Sequence, residues 1–381
     1  MKRLLIFSFL TISFFSCGEK GISKKSESDN ILENLTYSVD TVVVDPGDEL
    51  INLAMGLYFF DVSNDSKRLY QLTPNDQSVA VIDLDRLELI KKIKFEKEGP
   101  NGIGSFPADI KVLPGENFMF STFQSAGVFD SQTSKIDDIT LKAEQYPELG
   151  IEESQDMNFQ INISENGDYL YSLPGGIMES NRDLVVIDKS NNTGKKFDIP
   201  ALDNTGKFSI MFFKDGMAEI SMEDYFMDEY QGDLYLSSSV TSDLYRYNFQ
   251  QDSLQLFSFP ITVSPKEKTE LPKREVSSKK EQQEESQKVR SQISFKHLMW
   301  DESRKPFFRI ASITLPSETP GSPAKISVFL YAFDTNMKLV GETLIDDLKS
   351  IPESAFFKDG KLYSYVNVED ELGFAVFTFD F

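Results

Sequence analysis

Catalytic chemistry in this chain would have to proceed almost without imidazole or thiol, because His297 and Cys17 are each the only residue of their type among 381. A histidine-rich zinc or iron site, or a copper site with a histidine pair, has no ligands. No motif calls for a cofactor. A Ser-His-Asp triad would have to recruit His297, which stands in Lys296-His297-Leu298, an apparent strand where a structural role is expected. Paired carboxylates could hydrolyse a glycosidic bond, but 61 acidic residues guarantee some pair at that spacing, so the pattern selects nothing. Asp61, Asn64 and Asp65 could approach calcium, yet the glycine and distal glutamate of an EF-hand loop are missing.

Two stretches have the composition of ligand sites. Glu98-Gly99-Pro100-Asn101-Gly102-Ile103-Gly104 packs three glycines, a proline and an asparagine into seven residues. Such a run suits a loop whose main chain approaches something closely, with Gly99, Pro100, Asn101 and Gly102 as candidate contacts. It is not a phosphate loop, since no Lys-Ser/Thr follows and Phe106-Pro107 leads into a strand, 109–113, where a helix N-terminus would be needed. A tight crossing between structural repeats is the competing reading. The second stretch groups His297, Trp300, Asp301, Arg304 and Arg309. Trp300, Arg304 and Arg309 are of the types that hold sugars or peptides, although Phe307, Phe308 and Ile310 beside them read as core.

Cys17 has a different chemistry. Lys2 and Arg3 precede an uncharged run, 4–15, too short to span a bilayer and the right length for a signal-peptide core. The run ends Phe14-Phe15-Ser16-Cys17, which resembles a lipobox, with Phe14 where Leu is preferred. Residues 1–16 are then a signal peptide, and Cys17 carries diacylglycerol. Two or three acyl chains hold stably, at roughly 0.8 kcal/mol per buried methylene. Gly18 stands where an inner-membrane retention signal places Asp, which favours the outer membrane.

The formal net charge of −22 repels phosphate backbones and anionic headgroups, so nucleic acid is excluded as a partner. With Cys17 acylated there is neither an intramolecular disulfide nor a catalytic thiol, and stability must come from a hydrophobic core.

Around these residues the organising feature is repetition. Leu-Tyr or an aromatic equivalent recurs, followed by an alternating apolar strand ending in Asp or Asn. The six pairs are Leu69-Tyr70, Phe118-Met119, Leu170-Tyr171, Leu234-Tyr235, Phe307-Phe308 and Leu362-Tyr363. Polar corners such as Glu165-Asn166-Gly167-Asp168 and Lys358-Asp359-Gly360 precede several of them and suit hairpins. This is the pattern of four-stranded propeller blades: an all-β chain, a β-propeller with six blades or, as runner-up, seven. The last unit supplies three strands, and the N-terminal strand 35–44 would close the ring as its fourth. Residues 18–34 read as a tether, making 35–381 the propeller domain. The stretch 264–292, with eight basic and six acidic residues and only Leu271, Val276 and Val289 as apolar side chains, reads as an exposed insertion, disordered or partly helical from about Glu275.

The lipobox, Phe95-Glu96-Lys97-Glu98-Gly99-Pro100-Asn101-Gly102, and the stretch from Trp300 to Arg309 together resemble a family of Bacteroidota lipoproteins with a domain-of-unknown-function label. That family is similar to six-bladed propellers. The resemblance implies the fold and a membrane attachment through lipid, and brings no activity or catalytic residues. A binding or scaffold module for a protein, peptide or glycan is the first functional expectation, favoured by the scarcity of histidine and cysteine. The alternative is a carbohydrate hydrolase or lyase using carboxylates in the central channel.

Overall fold

The computed structural model describes residues 30–122, 125–214, 217–317 and 322–381. The expected signal segment and Cys17 lie outside them. Among the described residues, β-branched and aromatic runs separated by Gly, Asn and Asp corners build six four-stranded antiparallel sheets. The first comprises Phe60–Val62, Arg68–Thr73, Ser78–Asp83 and Glu88–Lys94. The second comprises Asp109–Leu113, Asn117–Ser121, Ala126–Phe129 and Lys135–Ile139. Asn162–Ile163, Tyr169–Ser172, Asp183–Asp188 and Thr193–Asp198 form the third; Tyr225–Tyr230, Asp233–Ser238, Leu244–Asn248 and Ser253–Phe257 form the fourth. The fifth is Ser294–Trp300, Phe307–Leu315, Lys325–Phe333 and Leu339–Ile345. The sixth joins Phe356–Lys358, Lys361–Val368 and Glu371–Asp380 to the N-terminal strand Thr36–Val43, which pairs from Thr36↔Asp380 to Val43↔Gly373.

Every repeated aromatic pair falls on the second strand of its sheet, and its apolar partner run falls on the third: Leu69 faces Ile82, Leu170 faces Ile187 and Leu362 faces Phe377. The alternation explains the dipeptide. Adjacent strand residues point to opposite faces, so Leu170 packs with the second sheet while Tyr171 packs with the fourth. Leu234 packs on the third and Tyr235 on the fifth; Phe307 packs on the fourth and Phe308 on the sixth. Leu362 packs on the fifth sheet and Tyr363 against the first. Each sheet is thus buried on both faces, and successive sheets share an apolar core, including the sixth with the first. The family of folds with this arrangement is the β-propeller.

Two expectations about segments outside the repeat are corrected. The tether does not run to residue 34: the Ile31 N–H donates to Val340 O (2.9 Å), the Asn30 amide donates to Glu342 O (2.9 Å), and Leu32 is completely buried between the fifth and sixth sheets. One apolar side chain in a polar run suffices to dock it, because a fully buried Leu contributes roughly 2–3 kcal/mol.

The stretch 264–292 is helical over Lys279–Arg290, as expected from about Glu275, but it is packed on the protein and not a free insertion. Glu275–Val276 pairs in parallel with Ile210–Lys214, whose other neighbour is Met217–Ser221, and the helix Lys279–Arg290 packs on this small sheet. Ser278 caps the helix, accepting from the Glu281 N–H, while Glu281 accepts in turn from the Ser277 N–H. Val276 and Val289 are buried with Phe208, Ile210, Phe212 and Val240. The composition is polar, but its two valines land on the same inward patch. No helix among the described residues is long and apolar enough to cross a membrane.

Deletion of 264–292 with a short Gly/Ser bridge should therefore destabilise the protein. Loss of two buried valines, at roughly 1.5–3 kcal/mol each, should lower Tm by about 4 °C or more. An unchanged calorimetric Tm would show that this cluster contributes nothing.

Candidate functional site

The first strands of the first and second, the fourth and fifth, and the fifth and sixth sheets touch one another. Polar side chains on these strands connect the sheets there. Asp61 accepts from the Val112 N–H of the second sheet (2.7 Å), and Asp228 accepts from the Leu298 N–H of the fifth (3.1 Å). Lys111 reaches across to Glu229 of the fourth sheet (3.2 Å) and donates to the Tyr171 hydroxyl (2.9 Å). Glu229 also accepts from the Glu165 N–H (2.9 and 3.1 Å). His297 is structural, as its strand position implied: Nε2 lies 3.1 Å from Ala355 O and Nδ1 3.5 Å from Asp228. Burial pushes its pKa down, but the Asp228 carboxylate and the two neighbouring carbonyls outweigh this and leave it raised.

Asp109 begins the first strand of the second sheet and accepts from its neighbour Ile110 (2.8 Å). The residue is exposed, yet the protein around it limits the hydration of the carboxylate and, with the Asp61 charge, raises its pKa to about 6.

Beside these strands is a cavity of about 560 Å³. Its walls come from residues just ahead of first strands, namely Tyr58 and Phe59, Phe106 to Ala108, Phe159, and Met222 to Asp224. Loops between second and third strands add Pro74 and Asn75 from the first sheet, and Ile177, Glu179 and Arg182 from the third. Tyr58 and Phe106 are 70% and 73% exposed, and Met55 beside them 53%. Large apolar side chains held open around a concavity mark a binding surface.

The charged groups of the wall differ in how they are matched. Arg182 is buried and donates through Nη1 to Leu173 O (3.0 Å) and Pro174 O (3.3 Å), and through Nη2 to Gly176 O (2.6 Å). Its guanidinium carbon sits 3.9 Å from the Phe159 ring centroid. Burial lowers its pKa. Glu223 pairs with Lys268, itself buried at the base of the 264–292 module (3.1 Å), so that module holds one wall of the cavity. The Asp224 pKa is raised, first by burial and then by the Glu223 charge. The Tyr58 phenol is raised by burial and by the nearby Asp224 and Asp109 carboxylates.

The residues singled out in the sequence do not line this cavity. Gly99 adopts a φ of 90°, and a Cβ on Gly102 would meet the Glu98 Cα at 2.8 Å, so the loop folds back on itself. Asn101 accepts from the Lys135 N–H (3.1 Å) and fastens the loop to the second sheet; it is a crossing between repeats. The same connection reaches the cavity five residues later, at Phe106. Trp300 donates to Glu302 (2.7 Å) and lies against Phe307 (4.7 Å). Arg304 donates to Gly360 O and lies over Phe381. Arg309 is 1% exposed and ties the fourth sheet to the fifth by donating to Lys296 O (2.8 Å), Ser242 O (2.9 Å) and Ser238 O (2.8 Å). Asp65 of the calcium reading accepts from the Ser63 hydroxyl (2.7 Å), and no group of three metal-ligating side chains is present among the described residues. The usable signal was aromatic side chains outside the strand alternation, at Tyr58, Phe59 and Phe106.

A family model described as a domain of unknown function, DUF4221, matches residues 28–344. No curated protein matches the chain. Among solved structures, a DUF4221 family member from Bacteroides vulgatus is 14% identical, with a TM-score of 0.64, over 91% of this chain and 98% of its own. That likeness extends to the whole fold. A protein described as exported, from Bacteroides fragilis, is 10% identical over 90% and 95% of the two chains with a TM-score of 0.48. A β-propeller domain from Myceliophteria thermophila is 8% identical over 90% and 99%, with a TM-score of 0.39.

Asp109 supplies a pH signature. Its pKa in the folded state, about 6, lies above the unfolded value, so its contribution to stability is complete below the unfolded pKa and is lost as pH rises through 6. Asp109→Asn should therefore gain stability over the wild type progressively between about pH 4 and pH 7. A constant Tm difference across that window in scanning calorimetry would contradict the assignment.

Proposed function

The chain belongs to the DUF4221 family, and from that premise we propose that it is a cell-envelope binding module that takes a partner into this cavity. One observation carries this reading: a 560 Å³ concavity whose rim holds Tyr58 and Phe106 more than two-thirds exposed. Exposed aromatics of this kind give much contact area for little loss of rotamer freedom, and they contribute nothing to the packing between sheets. The carboxylates of the first strands, by contrast, are engaged with backbone N–H groups and Lys111.

The scaffold is a six-bladed ring in this reading, with the last blade completed by Thr36–Val43. Supporting it are eight consecutive pairings with Glu371–Asp380 and the apolar core shared by the sixth and first sheets. The anchor is the lipid on Cys17, supported by the basic start, the short apolar run and Ser16. It attaches the protein to the outer membrane.

Two outcomes test the reading. Tyr58→Ala combined with Phe106→Ala should weaken capture on peptide and glycan arrays at least about tenfold, or about 1.4 kcal/mol, with Tm essentially unchanged because both side chains are exposed. Undiminished capture would place the binding surface elsewhere. Cys17→Ser should move the protein from the membrane to the soluble fraction, and wild-type protein that takes up no radioactive palmitate would refute the anchor.

A further inference from the structure

Resting on the cavity as binding site, the charge distribution within it narrows the ligand. We propose that the cavity selects a cationic group on an apolar stem, seated against Asp224 and the Tyr58 ring, as a lysine or arginine side chain of a peptide would be.

The walls contain three carboxylates, and two are already matched. Glu223 is held by Lys268 (3.1 Å) and donated to by the Ser239 hydroxyl (2.5 Å). Glu179 accepts from the Gly176 N–H (2.9 Å) and lies beside the Arg182 guanidinium. Asp224 is different: its backbone bonds to Ser239, but its carboxylate makes neither a hydrogen bond nor an ion pair among the described residues, and Lys268 and Lys296, which act on it from a distance, are paired with Glu223 and Glu353. It opens onto the cavity, next to Glu223. Two adjacent carboxylates in partly dehydrated surroundings repel, and a cation placed at Asp224 relieves both the repulsion and the lost hydration.

Arg182 does not serve as a counter-ion for an anionic ligand. Three backbone carbonyls take its terminal nitrogens, and its face is stacked on Phe159. Tyr58 lines the same cavity as Asp224, and an aromatic ring together with a carboxylate suits ammonium or guanidinium. The net charge of −22 attracts cations from a distance. A peptide fits better than a glycan. Sugar hydroxyls need converging polar groups, whereas the remaining wall is dominated by Phe59, Phe106, Pro107, Phe159 and Ile177.

The test uses the full chain carrying Cys17→Ser and isothermal titration with capped tripeptides that differ only at the centre: acetyl-Phe-Lys-Phe-amide, its Gln and its Glu counterparts, and a glucosamine trimer as the cationic sugar. The Lys peptide should bind about tenfold more tightly than the Gln peptide, and the Glu peptide more weakly than either. Asp224→Asn should erase the Lys preference and leave the affinity for the Gln peptide in place. Equal affinity for Lys and Gln peptides, with both lost in the Tyr58→Ala/Phe106→Ala variant, would overturn the charge selectivity while leaving the cavity as binding site. A Lys preference that survives Asp224→Asn would overturn the assignment of the seat. Tighter binding of the glucosamine trimer would overturn the peptide. Binding by none of the probes would overturn the inference outright, the cavity then being judged by array capture alone.

Discussion

Burial of both faces of every sheet is the constraint on which the rest depends. A strand has only two faces, and here each is claimed by a different neighbour, so consecutive residues on the second strand are both core. Leu170 and Tyr171, 5% and 0% exposed, belong to different cores yet share one peptide bond. A polar substitution at either would break one inter-sheet contact and leave the other intact. Recognition chemistry is consequently displaced to the strand ends, where backbone turns and charged side chains meet solvent.

That displacement organises the cavity. Most of its wall residues occupy the connections entering first strands and the loops between second and third strands. The sheets fix where those connections start, and local devices fix their direction. Arg182 draws in three carbonyls of its own loop, and Lys268, brought by the 264–292 module, holds Glu223. A buried ammonium is costly without a partner, so the module and the wall depend on each other. Asp224, two residues before Phe226 of the fourth sheet, makes no direct ion pair among the described residues.

The repeat was legible because two-sided burial writes itself into the sequence: six aromatic or Leu-Tyr pairs, each opposite an apolar run, cannot be satisfied by a one-sided sheet. His297 was legible too, as a lone imidazole inside an apolar strand. The cavity was not. It is assembled from segments more than 150 residues apart, and its diagnostic feature, aromatic side chains in loops, has no period. The glycines at 99 and 102 gave a strong local signal, but it reported a chain crossing: Gly102 is required by the nearness of Glu98 rather than by a ligand. Arg309 misled for a related reason, since an arginine spent on backbone carbonyls has the same letter as one that meets a partner. Leu32, Val276 and Val289 escaped notice because burial of one or two residues in a polar run is decided by the surface they land on.

The central claim is that partners meet this protein at the cavity mouth. Site-specific photo-crosslinking in intact cells tests it most directly, with benzoylphenylalanine at Phe106 compared with the same probe at Leu256 and Leu344, exposed on outer strands of the fourth and fifth sheets. The account predicts a discrete adduct from position 106 and none from the other two. Adducts from the outer strands with none from 106 would contradict it.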